Sequence, residues 1–302
     1  MFVKIGIIIL NWNGWNDTLN CIASLDSVDY PKNQISIYIV DNGSTDESVN
    51  HLRQLPGITL LELPSNIGFA AGVNFGIDHA LCNGCEYVLL LNNDTIVFPD
   101  FLRQLLQIFE TSATAGLVSP KIHYQDRPDR LFFAGGKFRK PRIIGELIGM
   151  GEIDEGQYDQ ARVVDFAVGT CLLLSRTAIE QIGYLDKRFF AYYEDIDYSI
   201  RATQAGFSVW YQPASVILHR VSHSTEGNPQ FRIFLEAQSR ILFFSKYIRG
   251  FNLLSVIILE MAHFVRVLLR AVLKGNIELA WGYTKGVLAG LRPLRQEQPI
   301  PR

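Results

Sequence analysis

The sequence predicts an α/β fold, a mainly parallel sheet followed by a helical C-terminal extension. Two observations carry this. Short apolar, β-branched runs recur through the first hundred residues, each followed by a polar loop and a helical segment, as in βαβ units. After Pro229 the apolar periodicity is helical to about Leu291, and no further strand run occurs. A chain of 302 residues with 48% hydrophobic and 19% charged side chains is long and apolar enough for a sizeable core, which excludes a disordered or collagen-like chain.

The strand runs are Ile5–Leu10, Ile35–Val40, Ile58–Leu63 and Tyr87–Leu91. Their near-continuous apolar character suits strands covered on both faces. Helical stretches fall between and after them, at roughly Trp15–Leu25, Glu47–Leu55, Phe69–Ala80 and Pro99–Phe109. From about Gly135 to Gln160, glycines punctuate a polar stretch that reads as a long loop, either a lid over a site or a passive surface segment. Order resumes at Phe166–Leu174. Helices near Thr177–Ile182 and Ile196–Ala205 and strands near Phe207–Tyr211 and Ser215–His219 follow.

The net charge of −2 argues against a nucleic-acid binder. It hides an asymmetry: Arg240–Arg302 holds ten Lys/Arg against three Asp/Glu, a net of +7, leaving −9 for the residues before it. Four cysteines (Cys21, Cys82, Cys85, Cys171) are too few for a disulfide scaffold. The Cys82–Cys85 pair has CxxC spacing but no second pair to complete a zinc site. All four are expected as reduced thiols of a cytoplasmic protein. The N-terminus lacks the basic segment, apolar run and cleavage site of a signal peptide and reads as a strand that begins at once.

In a parallel α/β sheet, ligands bind at the carboxyl ends of the strands, so chemistry is sought in the loops there. The first loop is Asn11-Trp12-Asn13-Gly14, whose amides suit a heterocycle or a helix cap. The second is Asp41-Asn42-Gly43-Ser44-Thr45-Asp46, where an acid leaving a buried strand suits a ring N–H or ribose hydroxyl; a turn with a capping Ser44 or Asp46 is the alternative. The third, Pro64 to Gly72 around Asn66 and Gly68, is rich in small residues and opens a helix whose N–H groups suit an anionic group. No GxGxxG or Walker motif occurs in a suitable place, which argues against a dinucleotide dehydrogenase and a P-loop ATPase. The fourth is Asn92-Asn93-Asp94, hard oxygen ligands suited to Mg2+ or Mn2+ on a diphosphate, or else a turn and cap. A regular strand would put Asn92 and Asp94 on one side. Farther on, Glu194, Asp195 and Asp197 open a helix behind Phe189, Phe190, Tyr192 and Tyr193. Three acids exceed what a cap needs, and an acid beside an apolar wall suits a general base. His219 ends a strand and is a candidate metal ligand, followed by Arg220 and His223.

Taken in this order, Asn11-Trp12-Asn13, Val40 to Asp46, Asn66-Ile67-Gly68-Phe69-Ala70, Asn92-Asn93-Asp94 and Glu194-Asp195-Ile196-Asp197 resemble the inverting family 2 glycosyltransferases of GT-A fold, over about residues 3–245. Val168–Leu174 and Gly183-Tyr184-Leu185-Asp186 are similar to the branch containing rhamnosyltransferases. The resemblance implies a catalytic domain over 1–228, with a nucleotide-binding half (1–95) and an acceptor half (96–228), and a helical extension over 229–302. It implies that Asp41 binds the pyrimidine or ribose of a nucleotide sugar, with Asn11, Asn13, Asn42, Asn66, Gly68, Asn92 and Asn93 around the same pocket. Asp94 and His219 would hold Mg2+ or Mn2+, Asp195 would be the base, and Glu194 would orient it or contact the acceptor. Asn92 departs from the family's pattern, where an acid stands. The donor implied is dTDP-, UDP- or GDP-linked, dTDP-rhamnose by branch, and the acceptor a glycan or lipid-linked glycan of a surface polysaccharide. A nucleotidyltransferase is the competing enzyme, but the loop after the first strand has no Lys or Arg near Asn11–Trp15. A non-catalytic nucleotide-sugar or membrane scaffold is the other alternative, against which the acids at 194 and 195 argue.

Phe251–Lys274 is the most apolar helix candidate, but Glu260, His263, Arg266 and Arg270 make it a poor membrane span. His263, Arg266, Arg270 and Lys274 form a basic stripe opposite Leu254, Ile257, Ile258, Met261, Val265, Leu268, Leu269 and Val272. This suits a helix lying in an anionic membrane interface, peripheral on the inner face of the plasma membrane. A homo-oligomer interface is the alternative use of that face.

Overall fold

The computed structural model describes residues 2–139, 144–221, 229–248, 251–273 and 277–291. The chain divides into two compact units, residues 1–227 and 228–302.

The first unit opens with β1 (Ile5–Asn11), α1 (Trp15–Leu25), β2 (Ile35–Asp41), α2 (Ser48–Leu52), β3 (Ile58–Glu62), α3 (Phe69–Cys82) and β4 (Tyr87–Asn92). Ile5, Ile7, Ile8 and Ile9 of β1 are all fully buried, as a strand with both faces covered requires. These four strands lie in the order β4-β1-β2-β3, every pairing parallel. Their carboxyl ends line up: Asn11 sits opposite Asp41, and Leu10 opposite Asn92. Three of the four polar loops are thereby side by side, adjacent strands being about 4.8 Å apart.

The chain continues through β5 (Thr95–Val97), α4 (Phe101–Thr111), β6 (Ala115–Tyr124), β7 (Leu131–Phe133), β8 (Gly136–Arg139), β9 (Ile144–Leu147), β10 (Arg162–Val163), β11 (Cys171–Ser175), α5 (Arg176–Ile182), α6 (Glu194–Gln204) and β12 (Ser208–His219). The sheet then extends β10-β12-β6-β11-β4, with β11 antiparallel to both neighbours and β12 parallel to β6. The antiparallel β11 delivers Gly169 and Thr170, which precede it, to the end where β4 finishes: Asn92 N donates to Thr170 O at 2.9 Å.

Three expectations are corrected and one unforeseen strand is added. The stretch 135–160 is not one long loop: β8 and β9 pair as a hairpin, tied down by Phe138 N donating to Asp165 Oδ2 at 2.6 Å. Two of its glycines, Gly136 and Gly145, lie against Phe166. The two late strands are one, β12, with a register shift between Gln212 and Val216 where Pro213 withholds a donor. The long strand β6 escaped the sequence pattern because Ser119, Pro120 and Lys121 interrupt its apolar run, though all are buried. Lys121 is held there by ion pairs with the largely buried Asp154, at 2.8 Å, and the exposed Asp159. Finally, β4 stops at Asn92 and the chain turns through Asn93–Asp94, so strand alternation does not align Asn92 with Asp94.

The second unit holds α7 (Pro229–Tyr247), α8 (Phe251–Leu273) and α9 (Ile277–Leu291). Within it, Arg240 pairs with Glu260 at 2.6 Å. Ile258, Met261, Val265 and Leu269 of α8 are exposed, as are Arg266 and Arg270. Among the described residues, no helix is long and apolar enough to cross a membrane. His223 and Lys274 lie outside the described residues. All four cysteines are free thiols.

Candidate active site

The site is assembled from loop residues at the carboxyl edge of the sheet. Asn11, fully buried at the end of β1, donates from Nδ2 to Asp41 Oδ2 at 2.8 Å and accepts at Oδ1 from Thr18 Oγ1 at 2.8 Å. Asp41 also accepts from Ser44 N at 2.9 Å and Ser44 Oγ at 2.6 Å. These three bonds hold a buried carboxylate in place and leave Oδ1 with capacity for one more donor. Asn13, with φ of 51°, accepts from Thr45 N at 2.8 Å and Asp46 N at 3.3 Å. It therefore braces the second loop rather than capping α1, which has no side-chain cap. Asp46 accepts instead from Ser48 N at the start of α2.

Asn42 joins the second loop to the third. Its Nδ2 donates to Asn66 Oδ1 at 3.0 Å, and its Oδ1 accepts from Ile67 N at 3.0 Å. Gly68 N donates to Asn66 Oδ1 at 2.9 Å, and Phe69 N to Phe190 O at 2.6 Å. Of the N–H groups expected to be open at the head of α3, those of Gly68 and Phe69 are thereby spent within the protein. Gly68 is obligatory here. At φ of 91° and ψ of 167°, an added Cβ would lie 2.6 Å from Phe190 O.

The fourth loop splits its side chains. Asn93 Nδ2 donates to Thr18 Oγ1 at 3.0 Å and Gly14 O at 3.3 Å, so it faces the start of α1. Asn92 is half-buried at the end of β4. Asp94 is carried by the turn to His219, whose Nε2 lies 3.2 Å from Asp94 Oδ1. The pairing follows from β5 lying antiparallel to β12, with Thr95 opposite His219. Phe132 braces the His219 ring edge-on at 4.9 Å between centroids. His219 Nδ1 is buried and has no hydrogen-bond partner among the described residues. One carboxylate oxygen and one imidazole nitrogen suit Mn2+ or Mg2+ when phosphate oxygens and water complete the set. Among the described residues no third His, Cys, Asp or Glu joins them.

The three acids of α6 have different surroundings. Asp197 is fully buried and paired with Arg201 at 2.9 Å, an i,i+4 bridge. Asp195 accepts from Gly169 N at 2.9 Å and from Ile196 N at 2.7 Å. Burial pushes its carboxyl above the ordinary value, against the pull of those two N–H donors. Glu194 is 6% exposed, and its Oε2 has no partner among the described residues. Burial first, and then the charge of Asp195, push its carboxyl well above the usual carboxylate range. Asp195 and Asp94 thus share one end of the sheet, linked through Gly169, Thr170 and Asn92. Sequence reasoning placed Gly169 in the Val168–Leu174 segment without a role, and did not single out Thr18 or Arg201. Gly169 was detectable as a glycine just before a strand run; the other two carry no local signal, because their partners are distant in the chain or within a helix.

A parallel four-stranded half with polar loops over its strand ends, joined to an acidic helix start, is the arrangement expected of a GT-A fold. The chain belongs to glycosyl transferase family 2, whose sequence profile matches residues 6–183. It is 28% identical over 255 residues to the low-salt glycan biosynthesis hexosyltransferase Agl10 of Haloferax volcanii, covering 80% of this chain and 76% of that one. It is 27% identical over 235 residues to the N-acetylglucosaminyl-diphospho-decaprenol L-rhamnosyltransferase of Mycobacterium tuberculosis, covering 69% and 74%. In structure it is similar to the mannosyltransferase PcManGT from Pyrobaculum calidifontis, solved with GDP-Man and Mn2+. The TM-score is 0.61 at 18% identity, over 96% of this chain and 74% of that one. GalNAc-T7, solved with UDP, GalNAc and Mn2+, gives a TM-score of 0.61 at 13% identity, over 82% and 51%. These likenesses establish the GT-A fold expected from the sequence.

Proposed function

We propose that the protein transfers a sugar, with inversion at its anomeric carbon, from a nucleoside diphospho-sugar to a hydroxyl of a glycan or lipid-linked glycan. The observation that carries this is the placement of Asp195, fixed by Gly169 N–H at the sheet end that also holds Asp94, Asp41 and Asn11. In this reading Asn11, Asn13, Asp41, Asn42, Asn66, Gly68, Asn92 and Asn93 form or support the donor pocket. Asp41 receives a donor N–H or hydroxyl on its remaining acceptor site. Asp195 removes the proton of the acceptor hydroxyl as that oxygen bonds to the anomeric carbon. The bond from that carbon to the diphosphate oxygen breaks on the opposite face, and the nucleoside diphosphate leaves with the electron pair. Glu194, whose carboxyl burial pushes above the usual carboxylate range, orients Asp195 or contacts the acceptor. Bound at Asp94 and His219, Mg2+ or Mn2+ would supply charge stabilisation for the departing diphosphate.

Two relatives support rhamnose from dTDP-rhamnose as the sugar: the mycobacterial L-rhamnosyltransferase and the dTDP-rhamnosyl transferase RfbF of Shigella flexneri, 22% identical over 185 residues. The first relative's diphospho-decaprenol substrate supports a lipid-linked acceptor. Residues 251–274 are proposed to rest on an anionic membrane, on the cytoplasmic side, through the exposed apolar and basic side chains of α8. The test is Asp195→Asn, assayed for nucleotide release from dTDP-rhamnose, UDP-glucose and GDP-mannose with a prenyl-diphospho-N-acetylglucosamine acceptor. Expected is turnover with one donor, lost at least about a hundredfold in the variant while nucleotide binding persists. Wild-type turnover by Asp195→Asn would remove Asp195 from its role.

A further inference from the structure

The aromatic segment that precedes α6 is fastened along α3 at three points. Tyr184 Oη donates to Asp78 Oδ1 at 2.9 Å. Asn74 grips the backbone of one residue on both sides: its Nδ2 donates to Leu185 O at 2.8 Å, and Leu185 N donates to its Oδ1 at 3.0 Å. Phe69 N donates to Phe190 O. The three attachment points span nine residue steps of α3, about 13.5 Å of helix axis. The segment therefore runs down α3 toward its N-terminus, where the Asn66–Gly68 loop stands.

Beyond Phe190 the chain turns sharply. Tyr192 and Tyr193 have φ of 69° and 70°, the left-handed region, in two consecutive residues that carry a Cβ. Such strain persists only where neighbouring structure enforces it. On the other side Arg201, already paired with Asp197, donates to Ile182 O at 3.0 Å and to Tyr184 O at 2.9 Å. The segment is thus clamped between α3 and α6, and Asp195 is its second residue past the strained turn. Phe69, the first residue of α3, closes the circuit: its ring lies 3.5 Å, and the Asp195 Cβ 3.7 Å, from where a side chain on Gly169 would begin. An Asn gains nothing from helix propensity at position 74. Its two bonds to a peptide 111 residues away are what it contributes.

We propose that Asn74 is a positioning residue: it ties the segment that delivers Asp195 to the helix that begins at the donor loop, so that filling the donor site fixes the base. This rests on the donor-site and base assignments above and adds a coupling between them. Hydrogen-exchange mass spectrometry on the full chain tests it, with whichever of UDP, dTDP and GDP binds tightest beside Mn2+ by calorimetry. In the wild type, nucleotide should slow exchange in peptides covering 184–193 by about tenfold. Asn74→Ala should lose that slowing and, because coupling is reciprocal, bind nucleotide about tenfold more weakly, and its hydrolysis of the sugar donor should fall about tenfold in kcat. Asn74→Asp, which still accepts from Leu185 N, should lie between. Tyr184→Phe, which loosens only the outer attachment, should show a smaller loss and serves if the position 74 variants unfold.

The proposal is overturned if Asn74→Ala retains the slowing, if its nucleotide affinity is unchanged although the slowing is lost, or if none of the three nucleotides binds. Full turnover by Asp195→Asn alongside intact exchange coupling would remove the base assignment alone. Loss of turnover in Asp195→Asn with no effect of Asn74→Ala would remove the coupling alone.

Discussion

Gly68→Ala should be far more costly than its single added methyl suggests. Gly68 holds φ of 91° and ψ of 167°, a region that only glycine adopts freely, and forcing Ala there costs about 1–3 kcal/mol. The new Cβ would lie 2.6 Å from Phe190 O and 2.9 Å from its Cδ2, so the segment must move, and the Phe69–Phe190 hydrogen bond, about 1 kcal/mol, is lost with it. The sum is about 2–4 kcal/mol. Gly57→Ala is the control. It also has positive φ, 75°, but its Cβ would meet nothing within 4 Å, so it carries only the left-handed penalty of about 1–2 kcal/mol. Urea unfolding followed by far-UV circular dichroism measures both. With a slope of about 3 kcal/mol/M, the midpoints should fall by about 1 M for Gly68→Ala and about 0.5 M for Gly57→Ala. A Gly68→Ala midpoint equal to or above that of Gly57→Ala would refute the contact between donor loop and aromatic segment on which the site's geometry rests.

Glu194→Gln should stabilise the protein at pH 7. Burial raises the folded carboxyl above its unfolded value of 4.5, so stability is fully present below that pH and declines as pH rises toward the folded pKa. The variant escapes this decline: its melting temperature should exceed the wild type's at pH 7, and the gap should shrink toward pH 4. A constant gap, or a lower melting point at pH 7, would contradict the assignment. Asp94→Ala should weaken nucleotide binding at least about tenfold by calorimetry in Mn2+, yet leave it unchanged in EDTA; equal affinity in both would move the metal elsewhere. The full chain should co-sediment with phosphatidylglycerol vesicles, and Met261→Glu with Leu269→Glu, both exposed positions, should release it. Undiminished binding would exclude the α8 face.

The parallel half of the sheet was legible because its information is local. Ile5–Leu10, Ile35–Val40 and Tyr87–Leu91 are apolar runs whose ends are marked by Asn11, Asp41 and Asn92, and parallel topology alone then places those residues together. The acid cluster at 194–197 was legible by composition. Its division of labour was not, since Asp197 is paired with Arg201 while Asp195 is held by the backbone N–H of Gly169. The strand β6 was missed because Pro120 and Lys121 look like interruptions until Asp154 and Asp159 arrive from another segment to accept the buried charge.

The sequence by itself determined the βαβ order, the strand-end loops and the amphipathic character of α8, because hydrophobic periodicity and turn chemistry act between near neighbours. The tertiary structure decided which polar side chains face the site and which brace it. Asn13 and Asn93 turned out to hold loops together, and Asn74 to hold the aromatic segment against α3. A buried amide has to satisfy its donors and acceptors wherever the fold supplies partners, and those partners lie tens of residues away in the chain.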